Sequence, residues 1–560
     1  MSLCVVVVAI ATILVWPFAN IGYGDDTAYA HVSLVLLRTG HLVYNGWESA
    51  FLIFHAYWGA LIIRILGFSF VWLRLGTIPF SLAAVGLCYS LVRRAGLKPR
   101  QAVFVTLLFG LCPVYLPVAV SFMTDVPAIF FMFASLYSFA RAEESAGELK
   151  SYGWMALGAA MGFIGGTGRQ VVWLVPVIVL PYLAWARREQ RAFRISAEAA
   201  WVIVLAGVKL TTSWFNHQLY TVFQPPVFSE LILVIKHPFA AVNITARLFM
   251  MLVLLTLPAA IPLILRSSAE TWRGPRGRKI LVATLLLIVL LAIAVHPSLA
   301  SLPWVPSTLN WQGINGNAPL PDRPIVLIRP IRAVVAISVY VAACILAGEV
   351  WNVRRLAQSV SGSLMQISSR DFVLGSMSVV MVVYFGLLVV RASEFDIFDR
   401  YLLPVIPWAA AVLLLWFEND NPDATGMMRR AAPTAWTLLA ILALYGIASA
   451  QDYWALAEAR VIATRRLEAA GVSRNSIDAG FEYDAWTELM NTGQINSRWV
   501  RNPPGSYNPN YSQTPSVVPK YRLEYLVTPE TAPSEFGSVP YFSVLPPFHK
   551  LVRIDRVVKR

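Results

Sequence analysis

The stretch Phe51-Leu52-Ile53-Phe54-His55-Ala56-Tyr57-Trp58-Gly59-Ala60-Leu61-Ile62-Ile63-Arg64-Ile65-Leu66-Gly67 decides how the chain is threaded. It is apolar enough to read as a membrane span, yet it carries His55, Tyr57, Trp58 and Arg64. Around it, apolar runs suited to spans recur at about 2–20, 75–92, 101–119, 122–140, 152–166, 170–186, 197–213, 246–265, 280–297, 333–350, 372–390, 402–417 and 432–449. If 51–67 does not cross, the basic loops fall on one side. These are Arg93-Arg94 with Lys98 and Arg100, Arg187-Arg188 with Arg191 and Arg194, Arg266 to Lys279, Arg354-Arg355, and Arg429-Arg430. Positive charge collects on the cytoplasmic side. If 51–67 crossed, those loops would face outward. The stretch is therefore expected to lie in the outer interface as an amphipathic or re-entrant helix, its aromatics at headgroup level.

Composition agrees with a polytopic membrane protein. Of 560 residues, 57% are hydrophobic and 14% charged, against about 25% charged in soluble domains. Mean hydropathy is +0.61. The spans are expected to be helices, because a barrel would show short alternating segments. The net charge of +14 sits in short loops and reads as topology, so no nucleic-acid partner is expected. Cys4, Cys88, Cys112 and Cys344 all lie in apolar segments without metal-ligand spacing and read as inert thiols. The first apolar run, without a basic flank or a small-residue cleavage site, reads as an uncleaved signal anchor.

This threading puts three acids on one face. Asp25 and Asp26 follow the first span in Gly24-Asp25-Asp26-Thr27-Ala28-Tyr29; Asp125 interrupts an apolar region in Ser121-Phe122-Met123-Thr124-Asp125-Val126-Pro127. A carboxylate near a bilayer is costly and is a functional candidate by default. Such a group can act as general base on a hydroxyl or hold a metal. Asp25 and Asp26 also suit a helix cap, and Thr124-Asp125-Val126-Pro127 a helix start. The same outer face receives Arg74, Arg169 and Arg400. A guanidinium is the natural fork for phosphate oxygens, but an interfacial arginine can equally snorkel to headgroups. Gly165-Gly166-Thr167-Gly168 lacks the Gly-Lys-Ser/Thr ending of a phosphate loop. Lys209 faces a cavity or snorkels, and the residue pattern leaves both open. His217, His237 and His296 show no paired metal spacing and read as loop histidines.

The loops 214–242, 296–332 and 391–401, and everything after about Gln451, share the outer face. The tail is polar, with Tyr and Trp throughout and Pro and Asn clustered at Asn502–Pro519. Tyr521–Val527, Phe542–Val544 and Ser476–Tyr483 are expected as short strands of a small α/β domain. The chain thus divides into a membrane module, 1–450, and a C-terminal domain, 451–560.

Taken in order, these elements resemble the GT-C glycosyltransferases of the protein O-mannosyltransferase and aminoarabinose transferase type. The resemblance covers roughly residues 1–420. Asp25-Asp26 matches the acidic pair after the first span. Tyr29, Gly40 and Leu42 match the first juxtamembrane helix, and Phe54–Gly67 the second. Trp72-Leu73-Arg74-Leu75 with Pro79 matches the start of the next span, Met123-Thr124-Asp125-Val126-Pro127 the second acidic site, and Asp399-Arg400-Tyr401-Leu402-Leu403-Pro404 a late Arg-Tyr-Leu-Leu-Pro element. The family's pair is usually Asp-Glu, and its Lys-Pro-Pro motif is replaced here by Glu48-Ser49-Ala50-Phe51.

The resemblance implies an all-α polytopic GT-C membrane protein with about 13 transmembrane helices, interfacial juxtamembrane helices and a small C-terminal α/β extracytoplasmic domain. It implies an inverting glycosyltransferase of the bacterial inner membrane, working on its periplasmic face. The sugar would pass from a polyprenyl-phosphate donor to a hydroxyl acceptor on glycan, lipid or protein. Asp25 would be the base, with Asp26 and Asp125 beside it, and Arg74, Arg169 and Arg400 would bind the lipid phosphate. A divalent metal ion at Asp25, Asp26 and Asp125 stays open, since some relatives need one and others do not. A transporter or flippase of lipid-linked sugars is the alternative. Lys209 favours it, whereas the absence of a repeat and the clustering of acids at one face oppose it.

Overall fold

The computed structural model describes residues 1–145, 147–222, 227–236, 238–273, 283–285, 287, 303, 308–350, 368–391, 397–419, 424–500 and 507–558. The expected span 280–297 lies almost entirely outside these residues. So do Arg276, Arg278, Lys279, Arg354, Arg355, His237 and His296, and parts of the loops 214–242, 296–332 and 391–401 and of 502–519.

Helices dominate. The first half holds α1 (Ser2–Leu14), α2 (Asp26–Thr39), α3 (Ile53–Leu66), α4 (Phe70–Arg94), α5 (Pro99–Gly110), α6 (Tyr115–Ala119), α7 (Asp125–Glu144), α8 (Glu148–Gly168), α9 (Leu174–Ala186) and α10 (Arg191–Asn216). The second half holds α11 (Val227–Lys236), α12 (Pro238–Arg273), α13 (Arg329–Val350), α14 (Ser369–Arg391), α15 (Val405–Asn419), α16 (Ala424–Ala469) and α17 (Phe481–Thr492). Six described helices are long and apolar enough to cross a membrane: Phe70–Arg94, Arg191–Asn216, Val242–Arg266, Arg329–Ala347, Ser369–Arg391 and Gly426–Ala469. The decisive stretch 51–67 is one helix of 14 residues, α3. At 1.5 Å per residue it is about 21 Å long, short of a hydrocarbon core of about 30 Å. It packs on α2, α4 and α8.

Local chemistry fixes several starts. Asn20 Oδ1 accepts from the Phe70 amide (2.9 Å) and the Ser69 hydroxyl (3.0 Å) at the head of α4, where Ser69 caps Val71. Pro99 opens α5, and the Lys98 amide donates to Gln101 Oε1 at 2.8 Å. Such bonds satisfy helix amides that have no partner within their own helix.

The helix α16 has 46 residues, about 69 Å at the usual rise, and it runs unbroken through the expected boundary at 450. Ala450, Tyr453, Trp454, Ala457 and Val461 form a buried stripe along it at i, i+3, i+4, i+7 spacing, the mark of a helix face packed on a neighbour. The neighbour is a four-stranded sheet in the order β3 (Ile477–Asp478), β4 (Tyr521–Glu524), β6 (His549–Val557), β5 (Thr531–Phe542), numbered after the two-residue hairpin strands β1 (Leu309–Asn310) and β2 (Gly313–Ile314). β3 runs parallel to β4, while the β4–β6 and β6–β5 pairs are antiparallel. The expected strand Ser476–Tyr483 is only two residues long, because Gly480 turns the backbone at φ +87° and α17 begins at Phe481. Of the expected strand Phe542–Val544 only Phe542 is in a strand, as the last residue of β5, which starts at Thr531.

Beneath the sheet, Asp452 of α16 joins Arg323 Nη2 (2.5 Å) and Lys550 Nζ (2.6 Å), all three fully buried. Removing one member of such a cluster leaves a buried charge uncompensated. The cluster ties the segment 308–328 and the C-terminal sheet to one helix.

Candidate active site

Asp25 stands at the cap position of α2, but its side chain makes no cap bond. Its Oδ1 accepts from Trp47 Nε1 at 2.8 Å, and its Oδ2 pairs with Arg400 Nη2 at 3.0 Å. Of the two functions its position suggested, capping is thus not the one its carboxylate serves. Asp125, on the first turn of α7 and 4% exposed, pairs with Arg169 Nη1 at 3.1 Å and lies 3.7 Å from Arg400 Nε. Arg400 therefore stands between two carboxylates 100 residues apart in sequence. Arg169 also donates to Thr124 Oγ1 at 2.8 Å, and its guanidinium lies 4.9 Å from the Tyr401 ring centroid. Burial works against the charge on both guanidiniums, yet Asp125 on each and Asp25 on Arg400 hold them protonated above the ordinary arginine range.

The chain around Arg400 explains its position. A 3₁₀ turn, Asp399–Leu402, carries it. Buried Asp399 accepts from the Thr308 and Leu309 amides at 3.1 and 2.6 Å, and the Tyr401 carbonyl accepts from Tyr384 at 2.7 Å. Phe398 lies under the guanidinium, 4.3 Å to its centroid. Arg400 Nε donates no hydrogen bond among the described residues. Beside it, Asp125, Arg169 and Arg400 open onto a narrow crevice walled by Ala128, Ile129 and Met132.

Asp26 and Arg74 form a different unit. Asp26 is 1% exposed and turned inward, its Oδ2 accepting from the Phe122 and Tyr23 amides at 2.9 and 3.3 Å. Burial pushes its carboxyl up to about 7, against the pull of Arg74 and the two amides. Arg74, fully buried, donates to the carbonyls of Pro17, Ala19 and Ile21 and lies 3.8 Å over the Trp454 ring. The structure thus brings Asp25, Asp125, Arg169 and Arg400 together. It sets Asp26 and Arg74 apart from them, as ties that close the turn after α1. Of the set expected for the lipid phosphate, Arg74 has its guanidinium on backbone carbonyls. Lys209 is exposed on α10.

Three carboxylates divided this way do not fit one metal. Among the described residues no three Asp, Glu, His or Cys gather as a ligand set, and Arg400 stands between the two acids that would be first ligands. Two residues went unnoticed in the sequence. Trp47 is the neutral donor to Asp25. Glu48 is fully buried; it accepts from the Asn45 amide at 3.1 Å, and burial pushes its carboxyl up to about 8. The only trace of Glu48 was its place where the family has Lys-Pro-Pro.

Residues 52–214 match the family of dolichyl-phosphate-mannose-protein mannosyltransferases. Among solved structures, the chain is similar to ArnT from Cupriavidus metallidurans in the apo state and bound to undecaprenyl phosphate. Identities are 15% and 16% over 86% of this chain and 82% and 83% of that one, with TM-scores of 0.38 and 0.37. It is also similar to the S. cerevisiae protein O-mannosyltransferase Pmt1-Pmt2 complex bound to the sugar donor, at 16% identity over 38% of this chain, with a TM-score of 0.31. The chain spans 32% of that yeast chain's length. At these scores the structural likenesses carry no argument about the site. No curated protein matches significantly. Asp25, Asp26 and Arg400 lie outside the matched segment. That segment, with Arg74, Asp125 and Arg169 in it, is the part of the chain that resembles the dolichyl-phosphate-mannose-protein mannosyltransferase family.

Proposed function

We propose that the chain is an inverting glycosyltransferase that moves a sugar from a polyprenyl-phosphate donor to a hydroxyl acceptor. It would work at the outer face of a bacterial inner membrane. The observation that carries this reading is Arg400 held between Asp25 and Asp125, where it lines a small crevice together with Ala128, Ile129 and Met132. A lipid-linked phosphate needs cationic forks beside an apolar wall; a hydroxyl attack needs a carboxylate next to them.

In this reaction Asp25 takes the proton of the acceptor hydroxyl. The acceptor oxygen forms its bond to the anomeric carbon from the face opposite the phosphate. The carbon–oxygen bond to the phosphate breaks, and its electron pair leaves on the polyprenyl phosphate. Arg400 and Arg169 stabilise that growing charge. Asp125 holds both guanidiniums in place. Asp26 and Arg74 fix the turn that presents Asp25. No step is routed through a metal.

The test uses the full-length chain in lipid nanodiscs. The probes are synthetic undecaprenyl-phosphate mannose, glucose and arabinose with cell-envelope extract as acceptor, read as undecaprenyl phosphate released and glycosylated product formed. Wild-type transfer with loss in Asp25→Asn of about 10³-fold or more is expected. Transfer by Asp25→Asn at the wild-type rate rejects Asp25 as base. Movement of lipid-linked sugar across the bilayer with no new glycosidic bond would make the chain a flippase instead.

A further inference from the structure

The C-terminal domain reaches the base from two directions. Glu482, on the first turn of α17, is 2% exposed. Its Oε1 accepts from the Gly24 amide at 3.4 Å and the Tyr453 hydroxyl at 3.2 Å, while its Oε2 pairs with Arg460 at 2.8 Å. Its backbone carbonyl accepts from Thr27 Oγ1 at 3.4 Å. The residue just before Asp25 and the residue just after Asp26 are thus both tied to this one residue. Gly24 sits at φ +54°, in the left-handed region that favours glycine, so the chain turns sharply where Glu482 holds it.

The second contact comes from the neighbouring residue. The Phe481 ring lies 4.7 Å from Trp47, centroid to centroid, and Trp47 Nε1 is the donor to Asp25 Oδ1. Phe481 supports the indole that aims at the base. The support is itself rigid: Arg460, fully buried, donates twice to the Ala479 carbonyl, at 2.9 and 2.7 Å.

We propose that Phe481 and Glu482 are positioning residues for Asp25, so that the C-terminal segment completes the reaction centre. The inference rests on the reading of Asp25 as base. Neither residue touches the reacting atoms; Phe481 acts through Trp47, and Glu482 through the Gly24 turn. A misplacement of about 1 Å costs on the order of 10²-fold in rate, so a loosened support is expected in kcat rather than in donor KM.

A double-mutant cycle on the nanodisc assay separates positioning from folding. Phe481→Ala and Trp47→Phe are each expected to lower kcat by about 10-fold with donor KM unchanged, normalised to folded protein. The double variant is expected to be no slower than Trp47→Phe alone, because both changes remove one bond to Asp25. Should Phe481→Ala not fold, Phe481→Leu completes the same cycle. Losses that multiply, a Phe481→Ala enzyme at full kcat, or a loss that only follows the folded fraction would each overturn the inference while leaving Asp25 as base. A wild-type chain inactive on every donor, or Asp25→Asn at full rate, removes the functional reading and this inference with it.

Discussion

The two ends of α7 carry arginines and acids in similar number and use them differently. At its first residue, Asp125 meets Arg169 and Arg400, which come from separate parts of the chain, and through Arg400 it meets Asp25. At its last turn, Glu144 pairs with Arg94 at 3.0 Å and with Arg141 on its own helix at 3.1 Å, while Arg187 donates to the Glu143 and Ser145 carbonyls. Twenty residues, about 30 Å of helix, separate the two ends. At one end the guanidiniums face carboxylates beside a crevice. At the other they tie helix ends together, half-exposed. An interfacial arginine is read by what it faces, not by its depth in the membrane.

The largest expected effect tests the first end. Arg400→Gln leaves two carboxylates without their shared cation and is expected to lower kcat by about 10³-fold, and Arg169→Gln by about 10²-fold, measured as product formed in nanodiscs. If either variant keeps wild-type turnover, the end that faces carboxylates is no more catalytic than the other.

Arg74 is an intermediate case, buried like Arg400 but engaged by carbonyls like Arg187. Arg74→Gln is expected to cost about 3 kcal/mol of stability, seen as a lowered Tm and yield, with the surviving folded fraction turning over close to normally. A Tm unchanged with turnover lost would move Arg74 into the reaction centre. Arg94→Gln is expected to cost about 1 kcal/mol or less and to change transfer by less than a factor of two.

The smallest effect is a slope. Glu48 holds a proton in the folded chain up to about pH 8, whereas an ordinary glutamate releases it near 4.5. The unfolded chain therefore binds fewer protons between those values. Stability from this group is complete below about pH 4.5, declines as pH rises through that window, and is lost above about pH 8. Thermal melts of the wild type are expected to fall across pH 5–8, and those of Glu48→Gln to fall less. Identical slopes would show that Glu48 is charged when folded.

Much of this was legible in the sequence, because intramembrane charge is costly and so conspicuous. Asp25, Asp125, Arg169 and Arg400 stood out singly, and loop charge put them on one face. That Arg400 bridges the two acids was not legible, since nothing local in Asp399-Arg400-Tyr401 specifies a partner 375 positions away. Arg74 shows the reverse limit. An arginine at the head of a span looks the same whether it meets headgroups or the carbonyls of Pro17, Ala19 and Ile21. Phe481 and Glu482 lay in a segment that read as a strand ending in an acidic turn. Only the left-handed Gly480, which starts a helix there, aims them at Trp47 and Gly24.

Gly480 has one more consequence. A Cβ on it would stand 1.9 Å from the Pro319 carbonyl oxygen and 2.8 Å from Arg460 Nη2, so the tail and the segment 308–328 meet with no room for any side chain. A tail exchanged for another would have to reproduce that contact to the ångström before it could pack on this chain. Exchange of the whole tail is therefore expected to disturb the fold. Graftable variation belongs on exposed edges such as 507–513, where a change does not reach the interlock.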